Sequence, residues 1–266
     1  MHSIAYDEIH DEIVVPQPFS QALLIFRGGA TGEEAPIRVI QGPLTQLTNY
    51  WDQLAIDPVH NEIFVPVGYP TKDRVVVFSR EANGNVAPVR VLEGPDTLRG
   101  ASSVAVDPVH NLFLVSGTSA AGTGAVMIFD RTAQGNAKPL RVIEGPKTHL
   151  GGGRGLIFAY PSRNEIIIIR GGGGNVGDAD TDTPPRSAAG AGMANEGGAF
   201  VSVWSIDDKG DVAPRQWKLA GPDGTQYDAR AYWSVMGAGV DTKNKSIMIG
   251  NKTLNSVLTY SFPEIF

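Results

Sequence analysis

The chain has 266 residues, a formal net charge of −6 at neutral pH and no cysteine. The missing thiols exclude disulfides, thiolate metal centres and a cysteine nucleophile. An acidic balance without any Lys/Arg cluster excludes a surface built to track nucleic-acid phosphates. Hydrophobic residues make up 42% of the chain, enough for a large core, and 32 glycines with 18 prolines point to many tight turns. No uninterrupted apolar run approaches the ~20 residues of a membrane-spanning helix.

In chain order, the first recognisable unit is IAYDEIHDEIVV from Ile4, which returns as LAIDPVHNEIFV from Leu54 and VAVDPVHNLFLV from Val104. The spacing is about fifty residues, the period of a repeat architecture. After each comes a second apolar run (ALLIF at Ala22, RVVVF at Arg74, AVMIF at Ala125). A turn follows (GGATGEEAP, REANGNVAP, RTAQGNAKP), then a last signature (IRVIQGP, VRVLEGP, LRVIEGP). A fourth copy reads LIFAYPSRNEIIII from Leu156, AFVSVWSIDDKGDVAP and RQWKLAGP, and a fifth runs from SVMGAGVDTKNKSIMIG at Ser234 to SVLTYSF at Ser256.

Each unit predicts four short strands: a hairpin around Asp-Pro-x-His-Asn, a variable loop to the third strand, and a Gly-Asn-x-x-Pro turn to the fourth. Apolar residues are too dense for a sheet with one wet face, as expected of blades packed on both sides. The expectation is an all-β fold, a single β-propeller over residues 1–266 with about five recognisable blades. Their approximate spans are 4–50, 54–100, 104–150, 156–222 and 234–266. The last lacks its outer strand, and a longer natural chain would have room for six blades. An open blade edge is a template for another strand, and three readings follow: a longer chain supplies the missing part, the ring closes on an incomplete blade, or another subunit donates the strand.

The signature of apolar-Ala-x-Asp-Pro, x-Val-x-Val-Phe and Gly-Asn-x-x-Pro-x-Arg-x-Ile-x-Gly-Pro resembles the NHL-type repeats of bacterial propeller proteins, over nearly the whole chain. That resemblance implies the fold. Such propellers serve as binding scaffolds and assembly parts and, in some relatives, as lyases or lactonases, so function has to be argued from the site.

In this fold ligands meet the face that carries the loops before each innermost strand and those joining strands two and three. These loops hold Tyr50, Trp51, Arg99, His149, Arg154, Arg170, Tyr227, Arg230, Tyr232 and Trp233. Within that set, Trp51, Arg99, His149, Arg154, Arg170, Arg230, Tyr232 and Trp233 are the candidate ligand-binding residues; aromatics with arginines suit an anionic or sugar-like ligand, or a protein contact. His10, His60 and His110 recur at one register, but one per blade in turns on the opposite face they are too far apart to share a metal, and they read as turn residues. A glycine-rich insertion, residues 171–198, interrupts the fourth unit. In it Asp178, Asp180 and Asp182 follow the spacing that opens a calcium loop, although the sixth-position glycine and twelfth-position glutamate are missing. The expectation is a solvated acidic loop and no cofactor, with calcium or another hard cation as the alternative for these three carboxylates.

No Gly-x-Ser-x-Gly elbow, His-Glu-x-x-His or nucleophile–base pair is present. The leading expectation is therefore a non-enzymatic scaffold for protein interaction or self-assembly, homo-oligomeric or bound to an assembly partner. A metal-assisted lyase or lactonase-like hydrolase at the central opening is the alternative, and a carbohydrate-binding module the third. No signal-peptide pattern precedes the first strand; an extracellular or periplasmic place is expected from the interaction role.

Overall fold

The structure is a computed structural model that describes residues 3–48, 53–68, 73–150, 155–170, 199–221, 224, 235–251 and 255–266. It is a five-bladed β-propeller in which four sheets have four strands and the last has three. Blade 1 contains β1 (Ala5–Asp7), β2 (Glu12–Gln17), β3 (Ala22–Arg27) and β4 (Arg38–Gln41). Blade 2 contains β5 (Ala55–Asp57), β6 (Glu62–Val67), β7 (Arg74–Ser79) and β8 (Arg90–Leu92). Blade 3 contains β9 (Leu98–Asp107), β10 (Leu112–Ser119), β11 (Gly124–Asp130) and β12 (Arg141–Glu144). Blade 4 contains β13 (Leu156–Tyr160), β14 (Glu165–Arg170), β15 (Ala199–Ser205) and β16 (Arg215–Leu219). Among the described residues, blade 5 contains β17 (Val235–Asp241), β18 (Ser246–Asn251) and β19 (Ser256–Ser261). Every sheet is an antiparallel meander whose strands pair in chain order.

The first hairpin of blades 1, 2, 3 and 5 is set by an aspartate; blade 4 has Tyr160 there and closes the turn with no side-chain cap. In blades 1 to 3 the Oδ1 atoms of Asp7, Asp57 and Asp107 accept the backbone N–H groups two and three residues on, all at 3.0 Å. Their Oδ2 atoms meet Nδ1 of His10, His60 and His110 at 2.8, 2.7 and 2.7 Å. In blade 5 Asn244 takes the histidine's place, donating Nδ2–H to Asp241 at 2.7 Å. The next residue is left-handed in all five blades, at Asp11, Asn61, Asn111, Asn164 and Lys245. The recurrent histidines are thus turn residues, each bound to its own aspartate.

Blades hold one another through four buried clusters, each shared by two neighbours: 1 with 2, 2 with 3, 3 with 4, and 4 with 5. Into each cluster the preceding blade's fourth strand sends one aliphatic residue: Ile40, Leu92, Ile143 and Leu219 in turn. The first three of these residues also form parallel bridges to a glycine in the next blade's last turn, namely Gly84, Gly135 and Gly210. At each bridge the glycine's N–H donates to the older strand (2.6, 2.7 and 2.7 Å to Val39, Val91 and Val142 O) and its carbonyl accepts one back. The three glycines have φ of +77°, +58° and +74°, which only glycine adopts without strain. The side chain beside each glycine (Asn85, Asn136, Asp211) then accepts a backbone N–H from Leu44, Asp96 or Lys147. This explains the Gly-Pro that ends each fourth strand: a Cβ at Gly42 or Gly145 would lie 2.5 Å from the Asn85 or Asp211 side-chain oxygen.

A second coupling is ionic. Glu12, at the start of β2, accepts from Arg38 in its own blade (2.6 Å) and Arg80 in blade 2 (3.0 Å). Glu62 repeats this with Arg90 (2.6 and 2.8 Å) and Arg131 of blade 3 (2.6 Å). At the next interface both partners change: Leu112 stands in the glutamate's place and Ile206 in the arginine's, and both lie in the apolar cluster. Arg141, deprived of a carboxylate, donates to the Ile206 carbonyl at 2.9 Å. The protein therefore contains both solutions to one packing problem. Glu62→Leu with Arg131→Ile, copying the blade 3/4 pair, should be neutral or stabilising, whereas Glu62→Leu alone should cost about 3–5 kcal/mol by leaving Arg131 buried without its carboxylate. Urea denaturation of the three proteins checks this.

Burial pushes Glu12 and Glu62 upward, but hydrogen bonds and charge from their arginine pairs outweigh it and hold both below the ordinary value of 4.5. A depressed folded-state value contributes stability above the unfolded one, and that stability is lost as pH falls through the folded value. Stability should therefore decline from about pH 4.5 downward. The acid limb should be shallower in the Glu62→Leu, Arg131→Ile protein than in the parent, measured by denaturation at a series of pH values.

Candidate interaction sites

The axial face collects the loops that the sequence marks as the ligand side. Arg170, at the end of β14, donates from Nη1 to the carbonyl of His149 in the connection that precedes blade 4. His149 is exposed and left-handed (φ 57°), closing a single 3-10 turn after Gly145-Pro146, as Gln46 does after Gly42-Pro43 (φ 59°). Its backbone conformation thus belongs to the repeat. Arg99 is exposed at the start of β9, with Nη1 3.7 Å from where a Cβ on Gly122 would stand, over the turn joining β10 and β11. The structure brings Arg170 to the His149 backbone and places Arg99 on another loop of the same face. Trp51, Arg154, Arg230, Tyr232 and Trp233 lie outside the described residues, as do Asp178, Asp180 and Asp182.

The residue that organises this face is Gln53. Its backbone bridges to Ser103 of β9, accepting from Val104 N–H at 3.0 Å and donating to the Ser102 carbonyl at 3.3 Å. Its side-chain amide reaches across to blade 4, donating to the Ile157 carbonyl at 2.8 Å and accepting the Ile157 N–H at 2.9 Å. One buried glutamine therefore ties the inner strands of blades 2, 3 and 4 together. Beside it Ser103 Oγ is buried without a hydrogen-bond partner. Glutamine at this register is not repeated in the other units, so no repeat signal marks it. Gln53→Leu keeps the volume but strands both backbone groups of Ile157. It should lower stability by about 2–6 kcal/mol, at 1–3 kcal/mol for each unpaired buried group, and Gln53→Glu should not restore it at neutral pH, because a buried carboxylate keeps the acceptor but has no proton to give the Ile157 carbonyl. Chemical denaturation of both variants checks this.

The second site is the edge of the repeat array. Blade 5 ends at β19, and among the described residues no strand pairs with its outer side. Residues 262–266 do not supply one. They fold back by hydrogen bonds from the Ile265 and Phe266 N–H groups to the Phe262 carbonyl, and all three side chains are buried between blades 4 and 5. Phe266 packs edge-on against Tyr160 at 5.5 Å and Phe262 against Trp217 at 6.3 Å. These last residues fill the place held in other blades by the Gly-Asn turn. On the face of blade 5 turned away from blade 4, Val257 is 71% and Met248 40% exposed.

Blade 1 is equally bare on its far side. Tyr6 is exposed and Ile13, Val15, Leu24 and Phe26 are half-buried, whereas the matching Ile63, Val65, Val76 and Phe78 of blade 2 are fully covered. Among the described residues, no buried cluster joins blade 5 to blade 1. Where blades 2 to 4 reach back to a predecessor with an Arg or Ile, an Asn or Asp and a Val or Ala, blade 1 has Gly28, Glu33 and Glu34. A side chain on Gly28 would strike the Asp11 carboxylate at 1.8 Å. Glu34 instead forms a two-bonded ion pair with Arg27 (2.5 and 2.7 Å). These three departures are the sequence signal that blade 1 has no ordinary neighbour on that side.

No protein-family model matches the chain, and no curated protein matches it either. Solved structures do. Hydrazine synthase of Kuenenia stuttgartiensis aligns over 98% of this chain at 13% identity with a TM-score of 0.60. The β-propeller domain of Cps50 (Swd1) from Myceliophteria thermophila aligns over 99% at 9% identity with a TM-score of 0.52. At such identities the likeness is one of fold. The chain spans 64% and 67% of the lengths of those two chains.

Proposed function

We propose that this propeller is a non-enzymatic scaffold for protein interaction and self-assembly, and that the outer edge of β19 is where another chain adds a strand. The observation that carries this reading is the three-stranded fifth sheet: its edge presents a row of backbone donors and acceptors, while the residues after it are committed to the core between blades 4 and 5. Such an edge recruits an extended segment by main-chain pairing. The side chains beside it, exposed Val257 and Thr259, carry no charge that would repel one. The repeat signature supports grouping the chain with NHL-type propellers, whose scaffolding use agrees with this role. The three recurrent Asp–His pairs, Asp7 with His10, Asp57 with His60 and Asp107 with His110, are spent on turns.

The test is sedimentation over a wide range of protein concentrations. The parent should gain mass with concentration, and the variant carrying Val257→Lys and Thr259→Lys should stay monomeric, since lysines on an edge strand block pairing. Amides of β19 should gain protection from hydrogen exchange in the assembled fraction. A parent that keeps monomer mass at every concentration, or a lysine variant that assembles like the parent, would overturn the reading.

A further inference from the structure

The bare face of blade 1 has a specific shape. In blades 2, 3 and 4 the pocket that receives the preceding fourth strand is lined by the first and third core positions of strand two, the aromatic of strand three and the turn after it. For Ile40 these are Ile63, Val65, Phe78, Ala82 and Val86. For Leu92 they are Phe113, Val115, Phe129, Ala133 and Ala137. The same positions in blade 1 are Ile13, Val15, Phe26, Ala30 and Glu34, and with Gly32 they line a groove of about 200 Å³. Gly32 has φ of +62°, the left-handed setting of the three bridging glycines. Those glycines exchange hydrogen bonds with a neighbouring strand, but no backbone hydrogen bond closes on Gly32 among the described residues. The groove is a formed copy of the blade-to-blade receptor, lacking its strand.

We infer that this groove binds an extended segment of a partner protein with the chemistry of a fourth strand: Val, then Ile or Leu to fill the pocket, one further residue, Gly-Pro, and a basic residue. The inference deepens the scaffold reading, on which it rests, by naming the partner's chemistry. The pattern follows from the four intrachain interfaces, each of which seats one aliphatic from such a strand in this pocket. The basic residue follows from the rim. Blade 1 has the anionic, exposed Glu33 where blades 2 and 3 have the neutral Asn85 and Asn136, so charge complementarity favours a cation in the residue after Gly-Pro. A folded second copy is not the occupant, because the aliphatic of each of its four fourth strands is already seated in the blade that follows it.

The probe is a fluorescently labelled peptide with the sequence of residues 139–148, PLRVIEGPKT, titrated with the intact protein and followed by anisotropy. Saturable binding is expected. It should weaken at least about tenfold when the peptide's isoleucine is replaced by aspartate, the loss expected from removing a branched aliphatic from an apolar pocket. Val15→Asp in the protein should have the same effect, with a thermal melt to show that the variant is folded; the peptide substitution leaves the protein untouched. The Val257→Lys, Thr259→Lys protein should bind the peptide like the parent. No saturable binding, or binding indifferent to the peptide's isoleucine, overturns the groove. Binding that survives Val15→Asp but disappears in the lysine variant also overturns it, and assigns the peptide to β19. Failure of the peptide while the parent still gains mass with concentration sinks the groove alone. A parent that never gains mass, beside a peptide that binds as expected, removes self-assembly through β19 and leaves the groove standing.

Discussion

The bridge from one blade's fourth strand to a left-handed glycine in the next blade is the contact on which the propeller's geometry depends. An antiparallel meander satisfies most of its own backbone, but the last turn of each blade and the end of each fourth strand are left over. Pairing these two leftovers across the interface solves both accounts at once and fixes the distance and register between neighbouring sheets. The aliphatic beside the bridge then has only one pocket to enter. Hydrophobic packing contributes most of the free energy, but it is non-directional; the two backbone hydrogen bonds and the Asn or Asp cap supply the direction.

Much of this was legible in the amino-acid sequence because a repeat prints its constraints several times. Asp-Pro-x-His-Asn, Gly-Asn-x-x-Pro and Arg-x-Ile-x-Gly-Pro recur, and in the structure they are a turn cap, a bridge and a receptor-filling strand. The five blades and the missing last strand follow from the same reading. The reason for each motif was less legible. Gly-Asn reads locally as a turn, yet its asparagine works on the blade before it, some forty residues back in the chain. Gly-Pro reads as a strand terminator, yet its glycine clears space for that asparagine.

The candidate sites divide along the same line. Arg170 and His149 were found together on one face because loop positions follow from strand order, but what joins them is an arginine and a backbone carbonyl. Gln53 left no trace in the pattern, since its partners on Ile157 are backbone groups and carry no side-chain signature. The blade 1 groove is intermediate. Its apolar lining looks like any other blade's, and only Gly28, Glu33 and Glu34, read against their counterparts, mark the face as lacking a predecessor.

The exchange of Glu and Arg for Leu112 and Ile206 at one interface has a consequence for how this array could be edited. Successive blades resemble interchangeable beads, yet their junctions carry two different keys. Excising blade 3 would set the ionic back of blade 2 against the apolar front of blade 4, so that Glu62 would face Ile206 with Arg131 gone. The join would bury a carboxylate with one cation fewer, a mismatch that costs more than either native junction. The two ionic junctions share one key and the blade 3/4 junction has another, so the pattern penalises a chain that joins an ionic face to an apolar one.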